Sequence, residues 1–169
     1  MVFKPWLIHR SSKAQKNNES LRQSVGYNNS KYIGIVYTNN APHKIDAADK
    51  LSTLLKMEGK KVKILAYERN NSIKHLPYDT ITPDNFSFWG SFKGKPLEDF
   101  VKAEFDFLIC IDEQPNTLVR CILAYSKAKC RVGRHEESNE PSFEMLVQNG
   151  KGENIDWIDS IYHYLKIIA

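Results

Sequence analysis

The chain has 169 residues, 41% of them hydrophobic and 26% charged, which is one domain's worth of a folded protein, too short for two full domains and too apolar for a disordered chain. No apolar run approaches the roughly 20 residues of a bilayer-crossing helix, and the opening Met1 to Arg10 lacks the long apolar stretch and small-residue cleavage site of a secretory signal, so the expected location is cytoplasmic. The formal charge of +4 is unevenly placed: residues 1–31 carry six basic groups against one acid, a net of +5, and the other 138 residues carry eighteen against nineteen, a net of −1.

Residues 1–31 therefore read as a basic N-terminal arm attached to an α/β domain of residues 32–169. The arm is rich in Ser, Asn, Gln and Lys and cannot build a core alone. Its stretch 11–23, free of Pro and Gly, is a candidate helix, and Phe3, Trp6, Leu7 and Ile8 form a short apolar cluster ahead of it. The body is expected to fold without residues 1–30, at a modest loss of stability.

The body opens on Tyr32 to Tyr37, a β-rich run closed by the turn Thr38-Asn39-Asn40-Ala41-Pro42. Apolar residues at helical spacing from His43 to Glu58, stopped by Gly59, predict a helix, and Lys61 to Tyr67 predicts a second strand. This β-α-β unit implies parallel pairing. Residues 68–96, punctuated by Pro and Gly and carrying Phe86, Phe88, Trp89 and Phe92, suggest a hairpin or ordered loop at the sheet edge. A short helix from Leu97 to Glu104 leads into Phe105 to Ile111, apolar enough for a central strand covered on both faces. A helix over Thr117 to Lys127, strands at 129–133 and 143–147, and an amphipathic helix from about Asn154 complete the pattern. The fold class is a single Rossmann-like α/β domain with a mainly parallel sheet and helices on both faces.

Cys110, Cys121 and Cys130 are odd in number and match no common zinc spacing, even with His135 nearby, so reduced thiols without a metal are expected. Neither G-x-G-x-x-G nor G-x-x-x-x-G-K-[ST] follows a strand, and no cofactor is called for. No residue pattern identifies a catalytic group.

The strand Phe105-Asp106-Phe107-Leu108-Ile109-Cys110-Ile111-Asp112, the helix after it and the segment Ala128-Lys129-Cys130-Arg131-Val132-Gly133-Arg134 resemble the N-terminal half of bacterial heptosyltransferases. The resemblance, over residues 105–134, implies a Rossmann-like lobe. It carries over no catalytic residue, because that family places an acidic residue in the loop after its first strand, where this chain has Thr38-Asn39-Asn40-Ala41-Pro42. Taken end to end, a basic arm on one small α/β body with Arg131-Val132-Gly133-Arg134-His135 looks like a family of short conserved bacterial proteins of unknown function.

Two binding readings follow. Lys4, Arg10, Lys13, Lys16 and Arg22 on the arm, with Lys129, Arg131 and Arg134 as a second basic concentration, are candidates for binding a polyanion. The expected partner is RNA, a ribonucleoprotein or another acidic surface, and an anionic membrane surface contacted by the apolar cluster and the arm is the competing partner. The alternative is a small enzyme or ligand-binding domain for a nucleotide or sugar phosphate at the carboxyl ends of the strands, using Thr38, Asn39, Asp112 and Glu113. Those residue types also make turns and cap helices without any ligand.

Overall fold

The segment Tyr32–Thr38 becomes β1, and its two faces set the architecture. Ile33, Ile35 and Tyr37 point to one side and Val36 to the other, and all four are fully buried, so both faces of the strand are covered. The computed structural model describes residues 5–69, 76–87, 91–148 and 156–167. In chain order the other elements are α1 (Pro5–Asn17), α2 (Pro42–Met57), β2 (Lys61–Tyr67), β3 (Asp79–Ile81), α3 (Lys95–Lys102), β4 (Phe107–Cys110), α4 (Thr117–Tyr125), β5 (Cys130–Arg134), β6 (Met145–Val147) and α5 (Trp157–Ile167).

The six strands form one sheet in the order β3-β2-β1-β4-β5-β6, every pair parallel. Strand order reverses between β1 and β4, where Ile33 to Val36 lie beside Phe107 to Cys110. One apolar cluster packs α2 and α5 on the face that carries Ile33, Ile35 and Tyr37. A second packs α3 and α4 on the opposite face, with Val36, Leu108 and Leu7 of α1. The domain is thus the α/β fold with helices on both faces that the pattern of elements implies. Gly34 is part of that packing: a Cβ there would stand 2.9 Å from Leu108 and from the Phe105 ring, so only glycine lets these side chains close over β1.

Two segments differ from the sequence expectation. The N-terminal helix spans Pro5–Asn17 rather than 11–23. Proline suits a first helical position, while Asn17 and Asn18 favour a stop, and the outcome is to seat Leu7 and Ala14 against α4. The second is β3, a three-residue edge strand too short to show a period, which is specified by its pairing of Leu65 to Tyr67 with Asp79 to Ile81. Beyond it Phe86 bridges Phe92 in antiparallel fashion and Phe92 stacks edge-on against Tyr125, so these two aromatics pack on the core. Phe88 and Trp89 lie outside the described residues.

Between α1 and β1 the chain stays on the body. Tyr27, 3% exposed, enters the core under α2 and α5, and its hydroxyl donates to Glu58. Tyr162 and Lys166 of α5 donate to the same carboxylate. Burial alone would raise the Glu58 pKa, but the hydrogen bonds from Lys166, Tyr162 and Tyr27 outweigh it and hold the carboxyl at about 2, below its usual 4.5. A depressed folded pKa contributes stability that is complete above pH 4.5 and is lost as pH falls through 2. Glu58→Gln is therefore expected to flatten the stability curve across this acid window, with a difference on the order of 1 kcal/mol at neutral pH after solvent screening. Urea unfolding at a series of pH values measures it, and parallel curves for the two proteins would refute the assignment.

Candidate functional site

The carboxyl edge of the sheet is held by a small set of polar side chains. Asp112, just beyond β4 and 2% exposed, accepts the Thr38 backbone N–H on both oxygens at 3.0 Å and the Thr38 hydroxyl at 2.6 Å. Lys44, in the first turn of α2, places its ammonium 2.6 Å from the same carboxylate. Asn116 caps α4 by accepting from Leu118 and Val119 N–H, and its amide donates to Thr38 Oγ1 at 2.9 Å. The reversal point between β1 and β4 is therefore closed by its own side chains, and the Thr38 and Asp112 groups are already engaged.

Of the four residues expected to line a strand-end pocket, the structure brings Thr38 and Asp112 into contact and directs the other two elsewhere. The Asn39 amide donates to Glu68 Oε1 at 2.7 Å, linking the ends of β1 and β2. Glu113 turns toward Arg134 at the end of β5, 3.4 Å away. Buried Asn139 fixes that second corner, donating to the carbonyls of Glu113 at 2.7 Å and Arg134 at 3.0 Å while accepting from Arg120. Between these ends, the first half of α2 and the start of α5 lies a cleft of about 410 Å³, with His43, Lys44, Ile111, Glu113, Arg134 and Trp157 among its walls. Sequence reasoning missed Lys44, Asn116 and Trp157. For Lys44 a signal existed: a cation in a helix first turn opposes the macrodipole and asks for an anion nearby.

The basic candidates divide into two groups. Arg10, Lys13 and Lys16 are exposed on α1, which has no acidic residue, and have no ion-pair partner among the described residues. At about 100° per residue, His9, Lys13 and Lys16 share the side of the helix opposite the buried pair Leu7 and Ala14, while Arg10 lies on the flank between that side and Ala14. Lys4 lies outside the described residues. The remaining candidates are engaged within the protein. Arg22 donates to the Ser126 and Ala128 carbonyls and sits 3.7 Å from Glu144; burial and the neighbouring Arg131 lower its guanidinium to about 10. Arg131, 2% exposed, is clamped by Glu144 through its Nε and Nη2. Lys129 meets Asp106 at 2.8 Å, and Arg134 meets Glu113.

The thiols offer little chemistry. Cys110, Cys121 and Cys130 are free and buried, and burial pushes Cys130 up to about 12, where the reactive thiolate is scarce. Cys130 opens β5 and His135 follows its last residue, a separation of roughly 16 Å along an extended strand, so the two do not form a pair. Among the described residues no helix is long and apolar enough to cross a membrane, and no cluster of three metal-ligating side chains occurs.

No curated protein matches the chain. A sequence family described only as one of unknown function, DUF6913, matches residues 4–168, nearly the whole length that folds into this sheet and its helices, and the chain belongs to that family.

Proposed function

We propose that this protein is a non-enzymatic binding module that contacts RNA, alone or in a ribonucleoprotein, through the exposed face of α1. The observation that carries the reading is the contrast between the two basic groups. Arg22, Lys129, Arg131 and Arg134 each meet a carboxylate or carbonyl of the protein itself, whereas Arg10, Lys13 and Lys16 stand on an acid-free helix with no ion-pair partner among the described residues. Packing of Leu7 and Ala14 on α4 fixes the direction in which these cations point, so they meet a phosphate backbone with little further ordering. The same packing takes Leu7 out of the apolar cluster that insertion into a lipid surface would use.

Three phosphate contacts on single-stranded RNA give a salt slope of about −2, so affinity is expected to fall roughly 20-fold between 50 and 200 mM salt from these contacts alone. The triple variant Arg10→Gln, Lys13→Gln, Lys16→Gln alters only exposed side chains and should unfold at the same temperature as the parent. Fluorescence anisotropy with a labelled single-stranded RNA, read at several salt concentrations, is expected to show weaker binding by the variant and a slope reduced by about 2. Unchanged affinity and slope would exclude α1 as the contact surface, and binding by the parent to anionic vesicles but not to RNA would transfer the reading to a membrane surface.

A further inference from the structure

The cations of α1 meet aromatic side chains where the helix runs past the end of α4. Leu7 and Ala14 seat α1 on α4, and the Asn18 amide donates to the Ala124 and Tyr125 carbonyls at 3.1 and 3.2 Å, so the C-terminal ends of the two helices lie side by side. The two flanks of α1 then face different neighbours. On one, Gln15 donates to the Pro141 carbonyl in the connection between β5 and β6. On the other lies Arg10. Burial raises the Tyr125 hydroxyl and the Cys121 thiol, and the Arg10 guanidinium acts on both in the opposite sense, which sets it beside this end of α4.

Tyr125 is the first of three linked rings. Phe92 packs edge-on against it with centroids 4.8 Å apart, and Phe86 meets Phe92 in the same manner at 5.8 Å. All three rest on the core below, yet none is fully buried. Aromatic surface therefore stays in contact with solvent next to a cation.

A second observation, independent of the rings, is the charge around them. Three stretches of chain converge on Tyr125, namely residues 5–17, 86–97 and 124–130, and none contains Asp or Glu. Beyond the cations of α1 they carry Lys93, Lys95, Lys127 and Lys129. Lys129 is taken by Asp106 at 2.8 Å. Lys93, Lys95 and Lys127 are exposed and have no ion-pair partner among the described residues. Lys93 directly follows Phe92, and Lys127 stands two residues beyond Tyr125. Glu98, in the first turn of α3, is already engaged by Lys102 at 3.5 Å. The aromatic group is thus bordered by unpaired cations from α1 on one side and from these lysines on the other. A duplex would offer such a surface phosphates alone, because its bases are stacked inside. A single strand offers both a charged backbone and free base faces.

We propose that the RNA contact extends from α1 across Tyr125 and Phe92 to Lys93, Lys95 and Lys127, and that it selects single-stranded RNA. Bases stack on the two rings while phosphates are held from either side. The proposal rests on the RNA reading of α1 and adds to it the strandedness of the partner and a second row of contacts.

The test uses the full chain, a labelled single-stranded RNA and the same strand annealed to its complement, read by fluorescence anisotropy at several salt concentrations. At 200 mM salt, where backbone attraction is weakened, the parent is expected to bind the single strand about fivefold or more tightly than the duplex. The variant Phe92→Leu, Tyr125→Leu keeps apolar packing but removes both rings. Its affinity for the single strand is expected to fall roughly fivefold or more with the salt slope unchanged, measured below its own unfolding temperature. The variant Lys93→Gln, Lys95→Gln, Lys127→Gln alters exposed side chains, so it should unfold with the parent while its salt slope drops by about 2. Should the leucine variant fail to fold, the lysine variant and the duplex comparison decide. Equal affinity of the parent for single strand and duplex overturns the proposal, as does a leucine variant that binds like the parent or a lysine variant with the parent's slope. In each of these cases weaker binding by the α1 triple variant leaves the RNA reading standing. A parent that binds no RNA, or that prefers anionic vesicles, removes that reading and this proposal together.

Discussion

Asp112→Ala is expected to remove about 3–5 kcal/mol of folding stability, a large share of the roughly 5–15 kcal/mol available to a domain of this size. The carboxylate is 2% exposed and accepts from the Thr38 N–H, the Thr38 hydroxyl and the Lys44 ammonium. Truncation leaves two buried donors on Thr38 without their acceptor, and it leaves the Lys44 ammonium, 17% exposed, facing a void. The larger part of the loss is the uncompensated charge. Lys44→Met should consequently cost a similar amount by stranding the carboxylate, and the double variant Lys44→Met, Asp112→Ala should be more stable than the sum of the two single losses predicts. Urea unfolding of the four proteins measures the coupling. A loss below about 1 kcal/mol for Asp112→Ala would mean that water already reaches the reversal point and that the strand ends are open there.

The parallel body was legible because its central strands carry an unusually plain signal. Phe107 to Cys110 and Ile33 to Tyr37 are apolar on both faces, and that pattern has few uses other than a sheet covered by helices on both sides. The strand-end loops were legible as well, since Thr38 and Asp112 fall at the ends of these strands. Which of their groups were free was not, because it depends on Lys44 and Asn116, 68 and 78 residues away from their partners in sequence. Charge counting had the same blind spot. It weighted Arg10, Arg22 and Arg131 alike, and only the fold separates an arginine on an exposed helix from one clamped by Glu144 or by the Ser126 and Ala128 carbonyls. A three-residue edge strand such as β3 leaves no periodicity at all and is defined by the strand it joins.

Removal of residues 1–17 and removal of residues 1–30 are expected to have very different consequences. The shorter deletion takes away α1, whose described apolar anchors on α4 are Leu7 and Ala14, and should cost about 2–3 kcal/mol while leaving a cooperatively folding protein. The longer deletion also removes the Gln23 N–H bond to the Lys129 carbonyl, the Arg22 bonds to Ser126 and Ala128, and Tyr27 with its hydrogen bond to Glu58. Loss of a buried aromatic side chain alone costs about 3–5 kcal/mol, and exposure of the cluster beneath α2 and α5 adds to it. The two contributions bring the longer deletion into the range of the whole folding free energy, so it should be largely unfolded at 37 °C. This exceeds the modest loss that composition implies for residues 1–30, because a single tyrosine in a polar stretch carries no periodicity to mark it as core. Thermal unfolding followed by circular dichroism separates the cases. A longer deletion as stable as the shorter one would show that Tyr27 and Arg22 contribute little and that the independently folding unit begins at β1; a shorter deletion that fails to fold would make α1 itself a core element.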